Sequence, residues 1–315
     1  MTQAPILTVT LNPALDISTA VDHVRPDVKL RCDAPAIDPG GGGVNVSRAI
    51  AVLGGESTAV VALGGPVGQH IADMLRAVGL PMIAIQAPGD TRQSFAVIDR
   101  ESRQQYRFVM PGPEWSKADT DRSLDVIAKA ARAGFVVLSG SNPPGVGAEY
   151  AARLAERLTR GDAGLIVDTS GAALKAVAEG GHGVALLRMD AEEAAGLAGR
   201  ELTARADTAA FAASLVAAGA AQAVIVARGG DGNIIASGGG AWHAEAAKVE
   251  VVSKVGAGDS FVAGFTLGLA RGHSPQDALG LGAAMASATC MTPATELCRA
   301  EDVERLFAAR VISRL

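Results

Sequence analysis

The sequence predicts an α/β protein: a doubly wound, mostly parallel sheet with a small β appendage, in one domain over residues 1–315. Three observations carry that expectation. Short β-branched runs alternate with longer helical periods along most of the chain. The informative motifs follow predicted strands, where open α/β sheets bind their ligands. The alternation breaks once, for two alternating strands about a short polar turn.

Residues 6–11 read as a buried strand, stopped by Asn12-Pro13. A less regular, more polar region follows, in which Lys29 and Arg31 bring two positive charges together. By themselves these suit an exposed strand face. Pro39-Gly40-Gly41-Gly42-Gly43 then runs into an apolar helix over 44–53, closed by Gly54-Gly55. Consecutive glycines carry an entropy cost that a plain loop has no reason to keep, so close approach of backbone to a ligand is the better reading. Asn45 both donates and accepts, which suits sugar hydroxyls. Strand 58–62, helix 67–78 and strand 82–85 come next. Residues 92–99 and 105–110 form the hairpin. Its apolar face needs a cover, either a partner subunit or a closed active site.

After Pro111-Gly112-Pro113 the alternation resumes with helix 119–133, strand 135–138 and the loop 139–145. Helix 148–159, strand 165–167, helix 172–178 and strand 184–187 follow, then helix 208–218 and strand 223–226. A short β segment over 233–247 precedes Val255-Gly256-Ala257-Gly258-Asp259, and helices over 261–270, 276–289 and 300–309 close the chain. Repeated βα units imply right-handed crossovers and helices on both faces of the sheet.

The stretch around Gly256-Ala257-Gly258-Asp259 organises the rest. Its glycines permit a tight turn, and the apolar helix behind it points free N–H groups and a positive dipole end at that turn. That is an anion site. Asp259 has two readings there. It is a helix N-cap, or it is a general base beside a phosphate cradle.

Composition narrows the classes. A net charge of −5 and 3% aromatic residues leave no nucleic-acid footprint or stacking platform. There is no long apolar run for a membrane span and no secretory pattern. Three cysteines without C-x-x-C spacing suit a reduced, cytoplasmic protein. The five histidines show no ligand spacing.

Val255-Gly256-Ala257-Gly258-Asp259-Ser260 and Pro39-Gly40-Gly41-Gly42-Gly43-Val44-Asn45 resemble, in order, the second and first signatures of the PfkB (ribokinase-like) family of sugar kinases. Further segments are similar to its phosphofructokinase branch over nearly the whole chain. They include Leu11-Asn12-Pro13-Ala14-Leu15-Asp16, Thr91-Arg92-Gln93, Gln105 to Gly112, and Leu138 to Gly145. The resemblance implies a ribokinase-like fold with a β-lid formed by about 14–36 and 91–112, pairing with another subunit's lid in a homodimer. It implies ATP and Mg²⁺, with K⁺ as a further candidate cofactor, and a small sugar-phosphate substrate. It implies transfer of the ATP γ-phosphoryl group to the 1-hydroxyl of fructose 6-phosphate. Tagatose 6-phosphate or fructose 1-phosphate are the alternative acceptors, and a non-catalytic sugar-phosphate binder is the alternative from another class.

By the same resemblance Asp259 is the catalytic base, and Gly256, Ala257 and Gly258 form the anion hole. Asp16, Gly41, Gly42, Asn45 and Ser141 contact the sugar, while Arg92, Lys29 and Arg31 clamp its phosphate. Arg188, Asp190, Ala227, Gly229, Gly232 and Lys254 fall on the nucleotide side. Asp190 and Glu193 stand three apart and are expected to order the water shell of Mg²⁺. Nucleotide-side positions depart from the family pattern: Arg188-Met189-Asp190 stands where relatives carry Lys-Pro-Asn, Lys254 replaces a small hydroxyl residue and Ala227 a serine.

Overall fold

A computed structural model describes residues 3–131, 133–159, 161–293 and 296–315. Strand β1 (Ile6–Thr10) is buried at every position, as a central strand of a parallel sheet must be. The chain then leaves this sheet for a second one. There β2 (Ala14–Val21) pairs antiparallel with β3 (Ala36–Gly40). Helix α1 (Gly42–Val52), β4 (Thr58–Leu63), α2 (Gly65–Ala77) and β5 (Met82–Gln86) return to the main sheet. The hairpin β6 (Arg92–Asp99) and β7 (Gln105–Val109) completes the second sheet.

From α3 (Lys117–Ala130) the βα alternation runs through β8 (Ala133–Ser139), α4 (Tyr150–Leu158), β9 (Asp162–Asp168), α5 (Gly171–Ala178) and β10 (Leu186–Asp190). Two helices, α6 (Ala191–Ala198) and α7 (Arg205–Ala217), precede β11 (Ala223–Ala227). The hairpin β12 (Asn233–Ser237) and β13 (Gly240–Ala244) leads to the helices α8 (Ala257–Ala270), α9 (Pro275–Cys290) and α10 (Ala300–Ala308), and to β14 (Ile312–Arg314).

Among the described residues the main sheet has ten strands, in the order β14-β13-β12-β11-β10-β9-β8-β1-β4-β5. Pairing is parallel from β11 to β5 and antiparallel from β11 out to β14. Its strands bury both faces. On β8, Val136 and Leu138 pack towards α3, α4 and α5, while Val137 packs towards α8 and α9. Helix α8 is buried on nearly all sides, which is why its sequence is apolar all round. Among the described residues no helix is long and apolar enough to cross a membrane.

The second sheet has the order β3-β2-β6-β7, with β2 and β6 parallel. Its register sorts two faces. Asp16, Ser94 and Val109 share one face with Arg107, through the pairs Asp16–Ser94, Ser94–Val109 and Ala96–Arg107. Ile17, Ile37, Phe95 and Phe108 share the other, through the pairs Ile17–Ile37, Ile17–Phe95 and Phe95–Phe108.

The expected elements are present, with four differences. The glycine stretch is not a loop before a helix at residue 44. Pro39 and Gly40 belong to β3, and α1 starts at Gly42. The second sheet therefore takes in residues 36–40, beyond the expected segment 14–36. Strand β14 was not anticipated, being short, and α6 was expected only as a helix start at Asp190 and Glu193. Finally, α3 ends at Ala130 rather than 133, and Arg132 lies outside the described residues.

Candidate active site

The carboxyl ends of β1, β8, β9 and β10 meet the N-termini of α1 and α8, and the second sheet closes one side. Asp259 is in the first turn of α8. Gly256 is its N-cap, with φ of 76°, a left-handed conformation that favours glycine. The helix start leaves the N–H groups of Gly258 and Asp259 without intrahelical acceptors. Of the three expected anion-hole residues, Ala257 differs, because its N–H donates to the Lys254 carbonyl at 3.3 Å.

Asn45 Nδ2 donates to Asp259 Oδ2 at 2.9 Å, so the two glycine-rich stretches meet through their polar side chains. Asp259 keeps some exposed surface but is densely surrounded. Burial pushes its carboxyl up to about 7, and the Asp168 charge adds to the rise, while Asn45 and Arg188 oppose it. A carboxylate poised near neutrality suits a general base.

Asp168 ends β9 and organises a small network. It accepts from Ser139 Oγ at 3.1 Å and from Arg188 Nη1 at 3.0 Å. Burial works to lower the Arg188 guanidinium, but Asp168 outweighs it and the group is raised. The guanidinium lies along the anion turn, since a Cβ on Gly258 would stand 3.3 Å from both of its terminal nitrogens. A fixed cation thus faces the free amides.

On the acceptor side, burial raises the Asp16 carboxyl, against the pull of Arg92 and Arg107. Gly41 caps α1 and Gly42 begins it. Ser141, Arg92 and Asn12 line one cleft of about 530 Å³. Arg92 gives Nε and Nη2 to the Asn12 carbonyl and Nη1 to that of Met110. Burial lowers its guanidinium. Lys29 and Arg31 do not join it. They sit exposed on the irregular loop between β2 and β3, hold no strand position, and line neither this cleft nor the donor cleft.

The donor cleft, about 760 Å³, is lined by Arg188, Asp190, Ala227, Gly229 and Lys254. Gly232 is not in its wall. Its φ of 107° and the Ala244 carbonyl, 2.1 Å from where a Cβ would sit, mark it as a turn residue. Asp190 and Glu193 form a reciprocal capping box on α6: Glu193 N–H donates to Asp190 Oδ1 at 2.9 Å, and Asp190 N–H to Glu193 Oε2 at 2.8 Å. One oxygen of each carboxylate stays outside the box. Burial raises the Glu193 carboxyl, and Glu193 lines a neighbouring cleft of about 420 Å³ beside Lys175 rather than the donor cleft. Among the described residues no group of three or more His, Cys, Asp or Glu could hold a metal ion. At the donor cleft Asp190 offers one carboxylate oxygen outside the capping box, a donor set that suits a divalent cation kept largely in its own water shell.

Sequence reasoning missed Asp168 as the link between Ser139 and Arg188. It also missed the donor-cleft wall supplied by Ser287 and Cys290. Both lie on α9, whose apolar composition reads only as core.

A carboxylate beside free helix amides, with guanidinium groups towards both clefts, is an arrangement for moving a phosphoryl group onto a hydroxyl. The chain belongs to the pfkB family of carbohydrate kinases, whose model matches residues 9–302. The ATP-dependent 6-phosphofructokinase isozyme 2 of Mycobacterium tuberculosis (strain H37Rv) is 43% identical over 303 residues, 96% of this chain and 88% of that protein. The protein of the same description from Escherichia coli (strain K12) is 36% identical over 303 residues, 96% of this chain and 98% of its own length. The crystal structure of Escherichia coli phosphofructokinase-2 in complex with fructose-6-phosphate matches with a TM-score of 0.89 at 35% identity, covering 98% of this chain and 99% of that one.

Proposed function

We propose that this chain is an ATP-dependent 6-phosphofructokinase that phosphorylates the 1-hydroxyl of fructose 6-phosphate. The observation that carries the reading is the Asn45–Asp259 hydrogen bond, which seats a near-neutral carboxylate between the acceptor wall and the open amides of α8.

Asp259 takes the proton of the attacking hydroxyl. The bond from O1 to the γ-phosphorus forms as the bond from that phosphorus to the β–γ bridging oxygen breaks, and ADP carries away the electron pair. The Gly258 and Asp259 amides and the Arg188 guanidinium stabilise charge on the transferred oxygens. Arg92 holds the acceptor's own phosphate, and Asp16 and Asn45 orient its hydroxyls. Asp190 would hold Mg²⁺ through water, and the ion would supply neutralising charge for the donor phosphates. The second sheet closes over the acceptor and excludes water.

The apolar face around Ile17, Ile37, Phe95 and Phe108 supports a homodimer through this lid. Ile37 is 40% and Phe108 52% exposed in the single chain. The free cysteines suit a cytoplasmic setting.

The test is kcat/KM with ATP and Mg²⁺ on fructose 6-phosphate, tagatose 6-phosphate and fructose 1-phosphate, with and without K⁺. Highest efficiency on fructose 6-phosphate is expected. A better alternative acceptor would replace the substrate, and sugar-phosphate binding without product would replace the enzyme by a binder.

A further inference from the structure

Two acceptor-side groups, Arg92 and Ser141, come from different layers of the fold. Arg92 opens β6 of the second sheet, and Ser141 follows β8 of the main sheet. Asn12 bonds to both. It stands where the chain crosses from one sheet to the other, between β1 and β2. Its carbonyl accepts from Arg92 Nε at 3.3 Å and Nη2 at 3.1 Å, and its Nδ2 donates to Ser141 Oγ at 3.2 Å.

The other end of the amide is telling. Asn12 Oδ1 is buried and has no hydrogen-bond partner among the described residues. It points at Gly112, where a Cβ would stand 2.2 Å away, so the chain leaves room there for the amide and nothing more. A buried acceptor without a partner is destabilising. An apolar side chain would avoid that cost but would release Ser141.

We infer that Asn12 is a positioning residue of the acceptor site, holding the Ser141 hydroxyl through its side chain while its carbonyl aims the Arg92 fork. Ser141 and Arg92 line the same cleft, so both groups are set before the sugar phosphate arrives. This inference rests on the sugar-phosphate kinase reading above.

The acceptor panel on the unaltered protein comes first, and the sugar phosphate it selects is used throughout. Asn12→Ala is expected to raise the KM for that acceptor about tenfold, the size of one lost hydrogen bond, with the KM for ATP unchanged. In a cycle with Ser141→Ala, the double variant should be no worse than the poorer single one to within about twofold, because both remove the same contact. Asn12→Leu keeps the approximate volume and the main-chain carbonyl but can bond Ser141 in neither direction, and should show the same KM split if the alanine variant does not fold. An unchanged acceptor KM, a parallel rise in the KM for ATP, or single effects that multiply in the double variant would overturn the assignment. If the unaltered protein turns over no acceptor, the kinase reading fails alone. The cycle is then read by calorimetric affinity for fructose 6-phosphate, with the same expected pattern.

Discussion

The helices α1 and α8 are both reached through glycine, yet their first turns differ. At α1 the glycines are packing residues. A Cβ on Gly42 would stand 2.3 Å from Ser139 Oγ and 2.7 Å from its carbonyl carbon, and one on Gly43 would stand 2.5 Å from the Val9 carbonyl oxygen. The first-turn N–H of Val44 is taken by Thr10 Oγ1 at 2.9 Å. At α8 the turn stands open. A Cβ on Gly256 would meet nothing nearer than 3.6 Å, and Gly258 faces only the Arg188 guanidinium. Each start has one first-turn N–H taken, Val44 by Thr10 Oγ1 and Ala257 by the Lys254 carbonyl, so the difference lies in the room beside the glycines. Similar glycine content thus serves close approach of backbone to backbone in one place and of backbone to ligand in the other.

The sharpest break comes at the residue joining the two turns. Asp259→Asn should lower kcat by at least about a thousandfold, as loss of a general base does, while sugar-phosphate affinity measured by calorimetry is retained. Turnover near the unaltered level would leave Asp259 as a cap.

The same residue sets the pH response. The base works deprotonated, so kcat/KM should fall about tenfold per unit below about 7 and level off above it. Stability runs the opposite way. A carboxyl raised on folding favours the folded state in acid, and that contribution is lost as pH rises through about 7. Asp259→Asn should therefore flatten the decline of Tm between about 4 and about 7.

The glycine contrast itself is tested by a pair of variants. Gly42→Ala should cost about 1–3 kcal/mol in denaturant unfolding, because the added methyl meets the Ser139 hydroxyl and the Ser139–Gly140 backbone, which cannot readily give way. Gly258→Ala meets only a side-chain end, so its unfolding free energy should change by less than about 1 kcal/mol while kcat drops, since Arg188 must shift. Equal stability losses would erase the distinction drawn between the turns. The smallest effect is expected at α6. Asp190→Ala removes the capping box at a cost of about 1 kcal/mol and should raise the KM for Mg²⁺-ATP with little change in the acceptor KM.

Much of the site was legible before folding because its chemistry is local. The spacing of Gly256, Gly258 and Asp259 defines a turn, a helix start and a carboxylate within one segment. Strand β3 was not legible, since Pro39 and Gly40 are poor strand formers and are tolerated only on the sheet edge that β3 occupies. Lys29 and Arg31 by themselves suited an exposed strand face and were expected in the clamp only by family resemblance; the structure leaves them exposed on a loop. Glu193 looked like a metal-ordering acid, and its carboxylate is half committed to a helix cap.

The sequence alone determined the alternating α/β order, the open anion turn and the identity of the carboxylate beside it, because periodicity and glycine placement act over a few residues. Only tertiary structure decided which groups that carboxylate meets. Asn45, Asp168 and Arg188 come from three separate segments, and their distances follow from how strands align across the sheet. Burial, which raises Asp259 towards neutrality, likewise exists only once those segments have closed around it.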